Sequence, residues 1–165
     1  MAEYCKTINT PLGFLKLISD AHRLRSVRFV NEENENSTVT PEILNKAALQ
    51  INEYFEGMRF RFELDLEIEG TKFQQKVWKL IKSVSYGKTK KYGEIAKEFN
   101  SLHFSRAVGM ANGKNPLPII IPCHRIIGND GKLIGYSGGI EKKKWLLVHR
   151  SNPRKQVKLL LLLKR

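Results

Sequence analysis

With 165 residues, 41% of them hydrophobic, the chain can bury one ordinary core or two small ones, so a folded, soluble protein of one or two domains is expected. A formal charge of +13 implies attraction to a polyanion, nucleic acid first and an anionic membrane surface second; Lys88-Thr89-Lys90-Lys91, Lys142-Lys143-Lys144 and the run from Arg150 to Lys155 are its concentrated sources. Only Cys5 and Cys123 are present, which excludes a disulfide framework or zinc-type cysteine spacing, and no stretch approaches the roughly 20 apolar residues of a membrane helix or has the form of a secretion signal. A reducing compartment follows: cytosol, nucleoid or nucleus.

Along the chain, Leu12 to Ser19 and Leu24 to Val30 are branched and alternating, and a turn at Asp20 to Arg23 would join them as a hairpin. After a polar loop from Asn31 to Ser37, Thr40 and Pro41 have the form of a cap and a first helical position. Ile43, Ala47, Ile51 and Tyr54 then repeat on one helical face as far as Gly57. Phe60 to Ile68 alternates again, and Glu69-Gly70 is the natural border between a first domain, 1–70, and a second, 71–152. A leucine-rich tail, 153–165, is too short to span a bilayer and is assigned no chemistry.

The second half opens on a capping box, Thr71 with Gln74, followed by the buried stripe Phe73, Val77 and Ile81. A basic loop around Gly87 ends that helix. Tyr92 to Phe99 and Leu102 to Asn112 read as two short helices with Ser101 as a cap between them. Such a pair commonly serves packing alone, but the basic balance favours a DNA-reading helix-turn-helix, with Arg106 in the first turns of the second helix. Asn115-Pro116-Leu117-Pro118 forms a stiff turn into Ile119 to Ile127, which its branched residues mark as a strand. A turn at Gly128 to Gly131, a small-residue loop from Gly135 to Gly139 and a final helix from Glu141 to His149 complete the domain.

Within that apolar run, Pro122-Cys123-His124-Arg125 sets a thiol beside an imidazole. A thiol of ordinary pKa, about 8.5, needs a base or a cation to become nucleophilic, and His124 and Arg125 are candidates for each. On a strand the two side chains point to opposite faces, so Cys123 and His124 would not easily hydrogen-bond directly, and a bridging water or a local turn would be required. The dipeptide alone fits equally well a buried cysteine packing as a small hydrophobe.

Taken together, Asn115-Pro116, Pro122-Cys123-His124-Arg125, Gly135-Tyr136-Ser137-Gly138-Gly139 and Trp145-Leu146-Leu147 resemble the O6-alkylguanine-DNA alkyltransferases. The resemblance runs from Phe73 and Val77-Trp78 through Tyr92 and Arg106-Ala107-Val108-Gly109 to His149, while the first 70 residues share only Pro11-Leu12-Gly13 and the order of elements. It implies an α/β fold, with a ribonuclease H-like α/β domain followed by a mostly helical domain carrying a helix-turn-helix. It also implies direct-reversal DNA repair: a methyltransferase that moves a methyl or other alkyl group from O6 of guanine, and from O4 of thymine, irreversibly onto its own Cys123. His124 would be a general base acting through a water, Tyr92 a catalytic residue that also crowds the 3′ phosphate, and Arg106 the arginine that replaces a flipped nucleotide in the stack. Asn115 falls with the DNA-binding elements, tying helix-turn-helix to active-site segment, and Ile126, Tyr136 and Ser137 would line the guanine pocket. Double-stranded DNA carrying O6-alkylguanine is the implied partner of a monomer, without cofactor or membrane.

Two departures from the family stand out. A glutamate that orients the histidine usually follows the Leu-Leu-x-His run, and Arg150 occupies that position. Either a backbone carbonyl or another carboxylate then holds His124, or the thiol is less activated; activity is expected to survive because Cys123 and His124 remain. Two ligand positions of the zinc site of mammalian members correspond to Asp20 and Arg25, so no metal is expected. The rivals are a lesion-sensing relative, which would lack the cysteine, and a cysteine hydrolase, which would usually draw thiol and imidazole from distant segments.

Overall fold

The computed structural model describes residues 2–33 and 35–149; Arg150 and the leucine-rich tail lie outside the described residues. The chain divides between Ile68 and Glu69 into two compact units.

In the first unit, β1 (Tyr4–Thr10), β2 (Gly13–Ser19) and β3 (Leu24–Val30) form an antiparallel sheet in that order. The expected hairpin is therefore its second and third strands. Periodicity does not mark β1 because both its faces bury threonine, Thr7 on one and Thr10 with Ile8 on the other. The β1–β2 turn brings Thr10 opposite Gly13, whose φ of +96° suits a residue without a Cβ. Helix α1 (Glu42–Phe55) packs on the sheet through Ile43, Leu44, Ala47, Ile51 and Tyr54. Its N-cap is Pro41, not Thr40: Pro41 is extended, with ψ 150°, and its carbonyl receives the Leu44 amide at 3.0 Å.

Phe60 to Ile68 does not form the expected strand. Only Leu66 bridges Leu24, flanked by Leu24 N–H to Asp65 O (2.8 Å) and Glu67 N–H to Leu24 O (2.9 Å). Elsewhere the segment is held by a side chain: the Gln50 amide donates to Glu63 O at 3.1 Å and accepts from Glu63 N at 2.8 Å, taking the place of a neighbouring strand. At the β2–β3 turn, Asp20 accepts from the backbone of His22 and Arg23 and pairs with Arg23 and Arg25. These amides, reinforced by the two guanidinium groups, lower its carboxyl from 3.8 to about 2. A group depressed on folding stabilises fully above its unfolded pKa and ceases to do so as pH falls through the folded one. Acid unfolding of Asp20→Asn, followed by circular dichroism, should therefore lack the part of the wild-type stability loss that falls between pH 3.8 and 2.

In the second unit, α2 (Lys72–Lys82) carries the expected capping box, with Gln74 N donating to Thr71 Oγ1 at 3.2 Å and Thr71 N to Gln74 Oε1 at 2.9 Å. Val77, Trp78 and Ile81 are its buried face, whereas Phe73 is half-buried against Phe99 and Phe104. The Trp78 indole donates to Ala111 O at 2.8 Å and joins α2 to the end of α4. Part of the basic loop is a strand, β4 (Lys90–Lys91), parallel to β5 (Ile126–Ile127). The helix-turn-helix follows as α3 (Tyr92–Lys97), a 3-10 turn at Leu102–Phe104 with Ser101 as its cap, and α4 (Ser105–Gly113). Helix α5 (Ile140–His149) closes the unit. Among the described residues, no helix is long and apolar enough to cross a membrane.

The expected strand from Ile119 to Ile127 is largely turn. Pro116, Pro118 and Pro122 have no N–H to give a sheet, and the chain folds on itself through Ile121 N–H to Leu117 O (2.8 Å) and Cys123 N–H to Ile121 O (2.7 Å). Ile119 sits at φ +76°, a rare conformation for a branched residue, which costs about 1–3 kcal/mol and is offset by full burial of Leu117, Ile119 and Ile121. Only Ile126 and Ile127 are strand.

Candidate active site

Cys123 opens a 3-10 turn, Cys123–Arg125, set between the strained Ile119 segment and β5. The local turn anticipated as one way to relate thiol and imidazole is the conformation adopted. Cys123 is 2% exposed and His124 fully buried, with the Tyr136 ring edge-on at 6.4 Å. Burial pushes the thiol up to about 11, opposed by a hydrogen bond with the Asn115 side chain and by the charge of Lys143.

The cation beside the thiol is therefore Lys143, not Arg125. The Arg125 guanidinium donates to Val84 O at 2.7 Å and lies 5.4 Å from the Tyr86 ring centroid, which makes it a packing element. Lys143, in α5, has no exposed surface, and its ammonium donates to Ile126 O (2.6 Å), Ile134 O (2.8 Å) and Gly135 O (3.3 Å). Burial lowers it from 10.5 to about 8, while the nearby Cys123 charge works in the opposite direction. In sequence it is the middle of a lysine triplet and reads as a solvated face. The usable signal was its spacing: Lys143, Leu146 and His149 fall three apart and form the buried side of α5.

Tyr92, the first residue of α3, is 7% exposed, and its hydroxyl donates to Ile134 O at 3.2 Å while receiving the Asn112 amide at 3.3 Å. Burial raises its pKa, as does the Cys123 charge, and the Asn112 hydrogen bond lowers it. Asn112, near the end of α4, carries no signal in the sequence, because it closes a helix where a polar residue is unremarkable. Asn115 is buried; its amide donates to Ile121 O at 2.8 Å and accepts from Leu117 N at 3.0 Å. It shapes the turn that carries Cys123.

A cleft of about 520 Å³ opens between the two helices of the helix-turn-helix and the Gly128–Gly135 segment, with Tyr92, Arg106, Gly109, Asn129, Ile134 and Gly135 in its wall. It is large enough to admit a flat heterocycle. Arg106, the second residue of α4, is exposed at this cleft. Of the residues assigned to the base pocket, Ile126 is fully buried with its carbonyl held by Lys143, Tyr136 is half-buried beside His124, and Ser137 is exposed; none of the three is part of that wall. Among the described residues there is no group of histidine, cysteine and carboxylate side chains that could hold a metal.

A three-stranded sheet domain followed by a helix-turn-helix domain, with a buried thiol in the turn after its second helix, defines a two-domain protein with a cysteine site in its second half. The chain belongs to the 6-O-methylguanine DNA methyltransferase family: residues 4–68 match its ribonuclease-like domain and residues 72–151 its DNA binding domain. It is 44% identical over 146 residues to the methylated-DNA–protein-cysteine methyltransferase of Mycobacterium bovis, covering 86% of this chain and 88% of that one. The protein of the same name from Methanosarcina acetivorans is 40% identical over 149 residues, covering 87% and 96%. Among solved structures, Mycobacterium tuberculosis OGT in complex with DNA matches with a TM-score of 0.81 and 42% identity, over 89% of this chain and 92% of that one.

Proposed function

We propose that this protein repairs alkylated DNA by direct reversal, taking a methyl or larger alkyl group from O6 of guanine, and from O4 of thymine, onto Cys123 once per molecule. The observation that carries the reading is a buried thiol in the turn after a helix-turn-helix, within a chain that matches both domains of the family. The charge of +13 supports attraction to the phosphate backbone. Because the reacting carbon is hidden in a stacked duplex, the nucleotide must leave the stack at a cost of a few kcal/mol. Arg106, exposed on the second helix, takes its place, and Tyr92 crowds the backbone and walls the cleft. A helix-turn-helix used from the minor groove serves repair at any sequence better than a base code does.

In the transfer, His124 removes the thiol proton through a water, with Lys143 favouring the thiolate. The sulfur forms a bond to the alkyl carbon while the carbon–O6 bond breaks, its electron pair staying on guanine. Tyr92 gives its proton to the departing base, and the proton from the thiol restores the phenol. The products are S-alkylcysteine and guanine. The methyl group comes from the lesion, so no methyl-donating cofactor enters, and a thioether has no good leaving group with which to regenerate the thiol. The protein acts as a monomer on DNA, in the cytoplasm, nucleoid or nucleus.

A duplex with one O6-methylguanine, in excess over protein, tests this: one guanine should be restored per molecule before repair stops, and continued turnover would contradict it. Arg106→Ala separates extrusion from chemistry. Its single-turnover rate on duplex should fall about 10- to 100-fold, in line with unstacking of a few kcal/mol. Labelling by free O6-benzylguanine, which needs no extrusion, should fall much less than the duplex rate.

A further inference from the structure

We propose that Asn112 is a positioning residue for the transfer: its amide fixes the direction of the Tyr92 hydroxyl proton and keeps a donor on the Tyr92 oxygen when that proton leaves. The proposal rests on the reading of Cys123 and Tyr92 given above.

Asn112 is 3% exposed, and its Nδ2 lies 3.3 Å from Tyr92 Oη and 3.5 Å from Cys123 O. The two contacts belong to different elements, the head of α3 and the turn after α4, and the amide nitrogen has one hydrogen for each. The Cys123 carbonyl can only accept, which decides which end of the amide faces this pair. Reversed, the amide would set its oxygen against that carbonyl. With nitrogen facing Tyr92, the phenol oxygen must accept from Asn112, so its own hydrogen points away, to Ile134 O at 3.2 Å. The same carbonyl takes the Lys143 ammonium at 2.8 Å, and Ile134 and Tyr92 both line the cleft, so the phenol lies at its edge.

The arrangement is maintained against a cost. Asparagine is a poor helix former, and Asn112 Oδ1 is buried without a hydrogen-bond partner. A leucine would keep the same branching with neither penalty. What leucine lacks is the donor. When the Oη–H bond breaks and the proton passes to the departing guanine, the electron pair remains on Oη, and the Asn112 N–H is already aimed at it. Such a preorganised donor needs no reorientation in the transition state.

A double-mutant cycle with a titration tests this. Asn112→Leu should slow single-turnover transfer from an O6-methylguanine duplex about 10- to 100-fold, the range below and at the loss of one oxyanion donor. Tyr92→Phe should also be slow, and the double variant should lie within about twofold of Tyr92→Phe, because Asn112 acts through the hydroxyl that variant lacks. The Tyr92 Cζ signal, identified by its absence in Tyr92→Phe, should titrate at higher pH in Asn112→Leu, since the phenolate has lost a donor. Asn112→Asp keeps the shape but turns the contact round, with a carboxylate accepting the Tyr92 proton; it should be slow as well and decides the matter if the leucine variant does not fold. A soluble Asn112 variant within twofold of wild type, losses that multiply in the double variant, or an unmoved Tyr92 titration would each overturn the proposal. The titration does not depend on transfer. A wild type that moves no alkyl group therefore counts against the reading of Cys123, and the Asn112 contact is still judged by the Tyr92 signal.

Discussion

Cys123→Ala eliminates alkyl transfer and leaves binding to lesion-bearing duplex unchanged. The change deletes one buried sulfur from a turn held by backbone hydrogen bonds and by Asn115, so the fold survives with a small cavity costing about 1 kcal/mol. The other cysteine, Cys5, is in the first unit, where it contacts Glu35 O and Ser37 Oγ. Transfer should fall to the uncatalysed rate, a loss of at least about a million-fold. Gel-shift affinity for O6-methylguanine duplex, measured beside single-turnover rates, checks both halves. A variant that still restores guanine would remove Cys123 from its assigned role.

Lys143→Met should have the second largest effect, and on two observables. An ammonium has three hydrogens and here meets three backbone carbonyls, from β5 and the Ile134–Gly135 segment, so it joins the active-site strand to the cleft wall. Methionine matches its length and leaves those acceptors unpaired. At about 1–3 kcal/mol for each acceptor that water does not reach, a stability loss of about 2–4 kcal/mol is expected in urea titrations at pH 7. Transfer should slow as well, because the thiol, already pushed up to about 11, loses a cation whose charge lowers it.

The sign of the pH dependence separates Lys143 from an ordinary surface lysine. With its folded pKa near 8 against 10.5, the unfolded chain holds more protons than the folded chain between those values, so its contribution to stability rises with pH. Cys123, raised from 9.0 to about 11, works in the opposite direction from pH 9 upward, which leaves pH 8 to 9 as the window in which Lys143 acts alone of the two. Urea midpoints of the wild type should climb across that window, and those of Lys143→Met should not.

Local signals carried much of the fold. The β2–β3 hairpin, the face of α1, the Thr71–Gln74 box and the Ser101 cap all depend on neighbours a few residues away, and periodicity or capping chemistry finds them. Three elements lack such signals. β1 fills core positions with threonines, Phe60 to Ile68 pairs with the Gln50 side chain in place of a strand, and the branched residues at Ile119 to Ile121 are buried in a proline-bounded turn. The site divides in the same way. Cys123, His124, Tyr92 and Arg106 have reactive groups or positions that a sequence displays. Lys143 and Asn112 have ordinary side chains whose part comes from burial and from carbonyls far along the chain. The position that departs from the family, Arg150, lies outside the described residues.

The central claim, that Cys123 is the alkyl acceptor, is tested most directly by peptide mass spectrometry after incubation with a duplex containing O6-methylguanine. One permanent methyl group is expected on the peptide containing Cys123, equal in amount to the guanine restored, and none on the peptide containing Cys5. Guanine restored without a methyl group on Cys123, or an unmodified protein beside an unchanged lesion, would contradict it.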